Sequence, residues 1–295
     1  MVTAAASATT DVHQHLWPEP FLAALAARSR PPLLRGRELV LKGEPVWPLA
    51  VEQHDLGARL AAMDRAGLQH AVVSLQTTLG LDRLPSDEAD ELAAVWERGI
   101  LELAAGSGGR ILPLAAREPA PGFVGLCVSG AELSDLDALA PRLESLLALG
   151  GFLFVHPGGA VAPAGVPPWW TAIVDYTAQM HAAYARWLVA GAERWPELDV
   201  VFGILAGGAP IHLERMASRG VDERRSMLPH LWFDTATYGR RALDLAMSTY
   251  GVERLLFGSD IPVVDIDRAV DSVRTFGDAV ANAVTSANPD RLLRR

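Results

Sequence analysis

The sequence predicts a (β/α)8 barrel of the TIM type, an α/β fold formed as a single domain over residues 1–295. Eight short apolar segments recur along the chain with the length and composition of buried strands, and most are followed by a helical pattern. Strands that alternate with helices indicate a parallel sheet, and eight such units indicate a closed barrel. An open doubly wound sheet is the alternative, but no G-x-G-x-x-G motif follows the first strand.

The elements follow one another in a regular order. The first strand leads into DVHQHLWP at residues 11–18. The next helix is predicted to begin after the cap residue Asp55 and to end at Gly67. Its apolar face is formed by Leu56, Leu60 and Met63. Further helices are predicted from Ser86 to the turn at 106–109, near 136–149, over 173–192, from Pro210, and over 240–250. Seven further strands are predicted at 70–75, 111–115, 123–128, 151–155, 199–205, 231–237 and 254–258.

Two stretches depart from this order. Residues 16–50 are rich in proline, contain a strand-like run at 38–41, and are predicted to form an inserted hairpin or lid. Only residues 116–122, with two prolines, separate the third strand from the fourth, whereas a parallel crossover normally needs a dozen residues or more. We therefore expect the third outer helix to be missing. Its absence is expected to expose an apolar flank that could form a homodimer surface.

The composition and charge of the chain exclude some classes of function. The net charge of −9 argues against nucleic acid or an anionic membrane surface as the main partner. No run approaches 18 apolar residues, and the N-terminus lacks the pattern of a secretory signal. Cys127 is the single cysteine, so no internal disulfide can form. A cytoplasmic protein that acts on a small molecule is the expectation.

The strongest chemical signal is the pair His13 and His15 in the first strand. Side chains two residues apart in a strand point to the same face, so these imidazoles form a ready clamp for a divalent metal ion. His156 ends the fifth strand in FVHPGG, and Asp260 ends the eighth in FGSDIP. Functional groups of such barrels lie at these C-terminal ends, so all four side chains point toward one mouth.

These motifs, together with the glycine-rich ILAGGAP after the sixth strand, resemble those of the amidohydrolase superfamily. The nearest resemblance is to the branch that contains aminocarboxymuconate semialdehyde decarboxylase, and it extends to the ANPDRLL tail. The resemblance implies that His13, His15, His156 and Asp260 bind one divalent metal ion, with Asp260 also beside the activated water. Zinc is the expected ion, although a set of three histidines and one aspartate also accepts manganese, cobalt or iron.

The sequence departs from that branch at the sixth strand. Members of the branch usually have a histidine there that assists the metal-bound water, whereas this chain has Leu205 or Ala206 at that place. Neither side chain can transfer a proton. His212, in the first turn of the following helix, is the expected replacement base or substrate contact, and His181 is a weaker candidate.

The remaining candidates belong either to substrate binding or to the fold. Trp169 and Trp170 are expected to form an apolar wall over the site, and Arg35 to bind a substrate carboxylate, although a solvated loop also explains it. Asp234 could orient a ligand histidine or simply end a strand. Three further histidines are expected to be structural: His54, His70 and His230.

Three functions are compatible with this pattern. The first is hydrolysis of an amide, ester or lactone of a small molecule by a metal-activated water, with Asp260 and His212 transferring protons. The second is decarboxylation of a small aromatic or enoic acid. The third is a diverged barrel that keeps the metal but only binds a ligand or a protein partner.

Overall fold

The computed structural model describes residues 8–294, and its centre is a barrel of eight parallel strands. Each barrel strand pairs with the next one along the chain, and Val12 N closes the ring by donating to Phe257 O over 2.8 Å. The predicted fold class is confirmed. The barrel strands are β1 (Thr10–His15), β5 (His70–Ser74), β6 (Ile111–Ala115), β7 (Gly125–Ser129), β8 (Phe152–His156), β9 (Val200–Phe202), β10 (Leu231–Asp234) and β11 (Leu255–Leu256).

The barrel interior is a packed core. Every barrel strand contributes at least one buried side chain to a single cluster, as expected when alternate residues of each strand face inward. A second, larger cluster lies between the strands and the outer helices. The interior cluster comprises Val12, Val72, Leu114, Cys127, Phe152, Phe154, Val201, Trp232, Leu256 and Leu292.

The outer helices largely follow the sequence prediction. Asp55 caps the first of them by accepting a hydrogen bond from Ala58 N, and Gly67 ends it with a φ of 76°. Within residues 8–294, every helix is too short or too polar to span a bilayer. The main helices are Leu56–Ala66, Ser86–Gly106, Leu136–Ala148, Tyr176–Arg186, Ile204–Ala217, Arg240–Tyr250 and Ile266–Arg274, followed by Asp278–Asn282 and Asn288–Leu293.

One helix face differs from the prediction. Leu56 and Leu60 are only half-buried, whereas Arg59 is fully buried. A hydrophobic pattern cannot anticipate this rotation, because the guanidinium is buried for its hydrogen bonds rather than for its apolarity.

The inserted segment contains more structure than the predicted hairpin. It begins with a helix, Glu19–Ala27, and continues into an antiparallel sheet of β2 (Leu33–Arg35), β3 (Glu38–Val40) and β4 (Trp47–Pro48). Pro20 lies in the first turn of that helix, where its missing N–H costs nothing, so the proline did not exclude a helix there.

The link between β6 and β7 contains no helix, as predicted. Side chains from the two flanking helices hold it instead. Glu97 accepts hydrogen bonds from the backbone N–H groups of Ala116 and Arg117, both over 3.0 Å. From the other side, Arg142 donates to the carbonyl oxygens of the same two residues, over 3.3 and 2.7 Å.

The expectation of an exposed apolar flank at this link is wrong. Phe123 and Val124 are half-buried, and no large hydrophobic side chain of residues 111–128 is exposed. The region that a helix would otherwise cover is lined in part by charged side chains, including Arg117, Glu118 and Arg142. The homodimer therefore has no apolar surface here to support it.

Candidate metal centre

Four side chains meet at the mouth of the barrel. They come from the ends of β1 and β8 and from the loop after β11. One donor atom of each lies within 4.8 Å of the others, and all four residues are buried: His13, His15, His156 and Asp260. These are the residues for which the sequence predicted metal binding, and the structure brings them together.

The geometry of the group is tight. His13 Nε2 and His15 Nε2 are 3.2 Å apart, and Asp260 Oδ1 lies 3.2 Å from His15 Nε2 and 3.6 Å from His13 Nε2. The centre of the His156 ring is 5.0 Å from the centres of both other imidazoles. Asp260 has a left-handed φ of 62°, a conformation that aspartate tolerates better than most residues and that is common at functional sites.

The Nδ1 atom of each ligand histidine lies within hydrogen-bond distance of an oxygen atom. His13 Nδ1 lies 2.5 Å from Asp234 Oδ2, His15 Nδ1 3.1 Å from Ser74 O, and His156 Nδ1 2.9 Å from Pro157 O. Carboxylate and carbonyl oxygens only accept, so in each neutral ring Nδ1 carries the hydrogen and the Nε2 lone pair is free. Partners of this kind orient metal-binding histidines in proteins.

This donor set fits a divalent cation. Three Nε2 atoms and a carboxylate oxygen point at one small volume, which a positive charge stabilises, either a proton on His13 or a metal ion. Three nitrogens and one oxygen form a common catalytic set for first-row metals and leave a position for water or substrate. The described residues therefore form a site that could hold one metal ion.

The pKa values follow from burial and from the carboxylates. Burial lowers the pKa of His13, but the adjacent Asp234 carboxylate outweighs it and, with Asp260 and Asp11, raises that pKa to about 9. Burial lowers the pKa of His15 and, more strongly, that of His156. His15 and His156 thus stay neutral, as metal ligands must, and a metal ion would take the place of the proton that the adjacent carboxylates favour on His13.

A buried guanidinium supports the strand that carries two of the ligands. Arg59 donates to His15 O over 2.9 Å and to Gln14 Oε1 over 3.0 Å. Asp11 balances this charge, and its Oδ1 accepts hydrogen bonds from the N–H groups of His13 and Ser259, both over 3.0 Å. This network fixes β1 against the loop that carries Asp260.

The turn after β9 explains the departure at the sixth barrel strand. The predicted strand over 199–205 is too long, because β9 ends at Phe202 and the residues from Ile204 to Gly208 all have φ between 46° and 85°. The first five residues of the Ile204–Ala217 segment thus form a left-handed turn, and its right-handed helix begins only after Gly208. The turn buries Leu205 and Ala206 in the larger core cluster. It also points Ile204 N at Asp234 Oδ1, over 2.7 Å. The place where the family pattern has a histidine is therefore occupied by apolar side chains, and a backbone N–H group of the same turn donates a hydrogen bond to Asp234.

The structure does not bring His212 to the four ligands. Its ring lies 4.3 Å from that of His181, between the helices that follow β8 and β9. Among the contacts of the described residues, none joins either histidine to the metal group. Their catalytic roles remain predictions from the sequence.

The expected substrate contacts lie further out. Trp169 is 55% exposed, and its ring centre is 6.1 Å from that of Trp170. Arg35 is exposed on β2, where it pairs in register with Glu38. No contact in the described chain joins these three residues to the metal group, so their substrate roles also remain predictions.

Three residues of the site were not anticipated in the roles that they have. Ser74 and Thr77 hold ligand histidines, Thr77 through a 2.9 Å contact between its Oγ1 and His156 Nδ1, and Arg59 supports β1. In the sequence, only position could have indicated these roles: Ser74 ends β5, Thr77 follows it closely, and Arg59 lies in the first turn of the Leu56–Ala66 helix. For Asp234, the structure shows the alternative in which it orients His13.

The fold and the site together define a TIM-type barrel with a buried group of three histidines and one aspartate. The family model of the amidohydrolases (Amidohydro_2) matches residues 10–295, so the chain belongs to the amidohydrolase family.

A decarboxylase is similar to this chain over part of its length. The 2-amino-3-carboxymuconate-6-semialdehyde decarboxylase of Dictyostelium discoideum is 24% identical over an alignment of 187 positions that covers 57% of this chain and 52% of that protein. The match therefore covers about half the length of that relative.

Two solved structures share the fold. The 5-carboxyvanillate decarboxylase of Sphingomonas paucimobilis is 20% identical with a TM-score of 0.75, covering 98% of this chain and 99% of that one. The dihydroxybenzoic acid decarboxylase of Polaromonas sp. JS666, solved with manganese and the inhibitor 2-nitroresorcinol, is 19% identical with a TM-score of 0.72, covering 98% and 97%.

Proposed function

We propose that this protein is a metal-dependent decarboxylase that releases CO2 from a small aromatic or unsaturated carboxylic acid without an oxidant. The observation that carries the proposal is the buried group of three histidines and one aspartate at the barrel mouth. The similarity to decarboxylases supports this activity, which was the second of the three expected from the sequence. It does not support hydrolysis, the first of them.

The apolar turn after β9 leaves Asp260 as the proton-transferring group among the four ligands, because Leu205 and Ala206 occupy the place of a histidine. Decarboxylation needs one proton, which replaces CO2 on the carbon atom, and a single carboxyl group can deliver it.

His13, His15, His156 and Asp260 are the residues that would hold the metal ion. When bound, a divalent ion would bind substrate oxygens and draw negative charge away from the carbon that loses CO2. Zinc is our expected ion, while manganese is the ion bound in the Polaromonas structure. A cytoplasmic location and a homodimer remain predictions from the sequence.

The protein side chains position the substrate and supply the proton. The carbon–carbon bond breaks, its electron pair stays on the substrate carbon, and Asp260 passes to that carbon a proton that it has taken from solvent. The side chain of Asp260 is 12% exposed, whereas those of His13 and His15 are fully buried, so Asp260 is the ligand that solvent can reach to supply this proton. The three histidines are held on their Nδ1 atoms and stay fixed during the step.

Isotope labelling tests this proposal. The protein, loaded with manganese or zinc, is incubated in D2O with hydroxybenzoates and enoic acids. We expect CO2 release with one deuterium on the carbon that carried the carboxylate. We expect Asp260→Asn to lower the rate by roughly 100-fold or more. The matched variant Asp265→Asn, at an exposed helix cap, should keep the wild-type rate.

Two other results would contradict the proposal. Release of an alcohol or amine from ester or amide substrates, without CO2 release from acids, would establish hydrolysis instead. Stoichiometric metal without turnover of either class would favour a barrel that only binds a ligand or partner.

A further inference from the structure

The four metal ligands are enclosed at the barrel mouth, since none of them is more than 9% exposed. An ion or a substrate can therefore reach them only when some part of the mouth moves. The loops that follow β5 and β8 meet at this place. Because β6 and β7 lie between these two strands in the ring, loops that meet must extend over the ends of β6 and β7.

Direct contacts join the two loops beside a metal ligand. Thr77 Oγ1 donates to Pro157 O over 2.6 Å, and the same oxygen lies 2.9 Å from His156 Nδ1. Further along the loop after β5, Arg83 donates to Gly159 O. Two cavities border this loop, one of about 380 Å³ at the ends of β5, β6 and β7 and one of about 310 Å³ beside the inserted segment. The crossing of the two loops is thus attached to a ligand and bordered by open space.

The turn between β3 and β4 of the inserted segment fastens the crossing from outside. Glu44 Oε1 accepts a hydrogen bond from Ala160 N over 3.1 Å, and Glu44 Oε2 accepts one from the Tyr176 hydroxyl over 2.7 Å. Beside it, Gly43 O accepts from Ala162 N over 2.8 Å. Tyr176 begins the helix that follows β8, so one carboxylate ties the inserted segment to two parts of the chain after β8.

The groups around Glu44 are arranged for a charged carboxylate. Trp47 Nε1 donates to it over 3.4 Å, and the positive charge of Arg83 also acts on it. Burial raises the pKa of the Glu44 carboxyl, while these groups, with the donors of Tyr176 and Ala160, lower it. Every group that faces the carboxyl favours its ionised form. Since Glu44 is only half-buried, water can replace these donors when the contact breaks.

We propose that Glu44 is the latch of a lid over the metal site. Its hydrogen bonds hold the inserted segment on the crossing loops, and their release gives ions and small molecules access to the ligands. This inference rests on the metal site and not on the reaction that occurs there. A latch stabilises the closed lid whether or not a ligand is inside, so its loss accelerates entry and exit by the same factor. A residue that orients a metal ligand changes the affinity instead.

Hydrogen exchange on the full-length protein, followed by mass spectrometry, tests the latch without bound metal. In Glu44→Gln, an NH2 group replaces one of the two acceptor oxygens. We expect the peptide that covers residues 158–162 to exchange about tenfold faster than in wild type. Glu38→Gln, exposed on β3 of the same small sheet, should exchange like wild type there. An unchanged peptide in Glu44→Gln, or faster exchange over the whole chain, would contradict the latch.

Stopped-flow kinetics of zinc transfer then distinguishes a lid from a support for the ligands. Entry is followed on the metal-free protein, and exit is followed by transfer from the loaded protein to a coloured chelator. We expect Glu44→Gln to accelerate both by about tenfold and to leave the Kd within about twofold of wild type. Glu38→Gln should change neither rate.

Three kinetic results would overturn the inference. Faster exit with unchanged entry would mean that Glu44 supports the ligands, unchanged rates would mean that it controls no access, and equal acceleration in Glu38→Gln would show a general loosening of the inserted segment. Neither measurement uses turnover. Failure of the latch therefore leaves the decarboxylase proposal standing, and an absence of CO2 release leaves the latch standing.

Discussion

The two halves of the barrel mouth are built differently. In the ligand half, at the ends of β1, β8 and β11, oxygen atoms hold the Nδ1 atoms of all three histidines, and the metal-binding side chains are buried. In the cavity half, at the ends of β5, β6 and β7, charged side chains line an opening and pair across it. The contrast indicates that one half fixes donor atoms for a small ion and the other leaves room for a larger molecule.

Replacement of Asp234 in the ligand half should give the largest effect. In Asp234→Asn the side chain can still accept from Ile204 N with its oxygen, but its NH2 group would face His13 Nδ1. The His13 hydrogen then moves to Nε2, where it competes with the metal. We expect metal affinity to fall by about 10- to 100-fold, measured by competition with a chelator. The control variant Asp265→Asn should bind the metal as tightly as wild type does. An equal loss of metal affinity in both variants would show that Asp234 has no orienting role.

Replacement of Arg142 in the cavity half should affect stability. This half-buried guanidinium holds the carbonyl oxygens of Ala116 and Arg117 and pairs with Glu132. Arg142→Met leaves those groups without their charged donor, so urea unfolding should show a loss of about 1–3 kcal/mol. Arg98→Met, at an exposed position, is the control. A loss of unfolding free energy below about 0.5 kcal/mol would mean that the link keeps its conformation without the arginine.

The smallest expected effect is a pH dependence from His54, beside the ligand half. His54 accepts a hydrogen bond from Trp17 N over 3.0 Å and stacks on the Trp17 ring, and burial, with smaller contributions from Arg59 and His15, lowers its pKa to about 3. The unfolded chain takes up this proton near pH 6.5, so between these values the unfolded state binds more protons and acid destabilises the fold.

The His54→Asn variant isolates this contribution. The Oδ1 atom of asparagine takes the place of Nδ1 and can still accept the hydrogen bond from Trp17 N, but asparagine has no proton to take up. Between pH 6 and pH 4, the free energy of unfolding of wild type should fall more steeply than that of the variant, by about 1.4 kcal/mol per pH unit. Both proteins are measured at the same metal concentration, so the ligand histidines contribute equally. Parallel slopes would contradict the burial of a neutral His54.

The ligand half could largely be predicted from the sequence. His13 and His15 are separated by one residue in a strand, His156 ends another strand, and Asp260 lies in the loop after the last one, so the barrel topology brings them together. The missing helix could also be predicted, because a seven-residue link is too short for a crossover with a helix.

The remaining features depend on contacts between distant parts of the chain. Arg59 is buried because Gln14 and the His15 carbonyl oxygen accept from it, and no local pattern encodes that. The left-handed turn from Ile204 to Gly208 could not be foreseen either, because three of its residues carry side chains that disfavour positive φ. The expectation of an exposed apolar flank was wrong for the same reason, because Glu97 and Arg142 bond the link from helices that are distant in the sequence.

Metal stoichiometry is the most direct test of the central claim that the ligand half binds one divalent ion. It should be measured on freshly purified wild type beside the His13→Ala/His156→Ala double variant, each also after reconstitution with zinc and with manganese. We predict about one ion per chain in wild type and close to none in the double variant, with the fold retained in both. Wild-type protein that holds no metal after reconstitution, or a double variant that holds as much as wild type, would contradict the account.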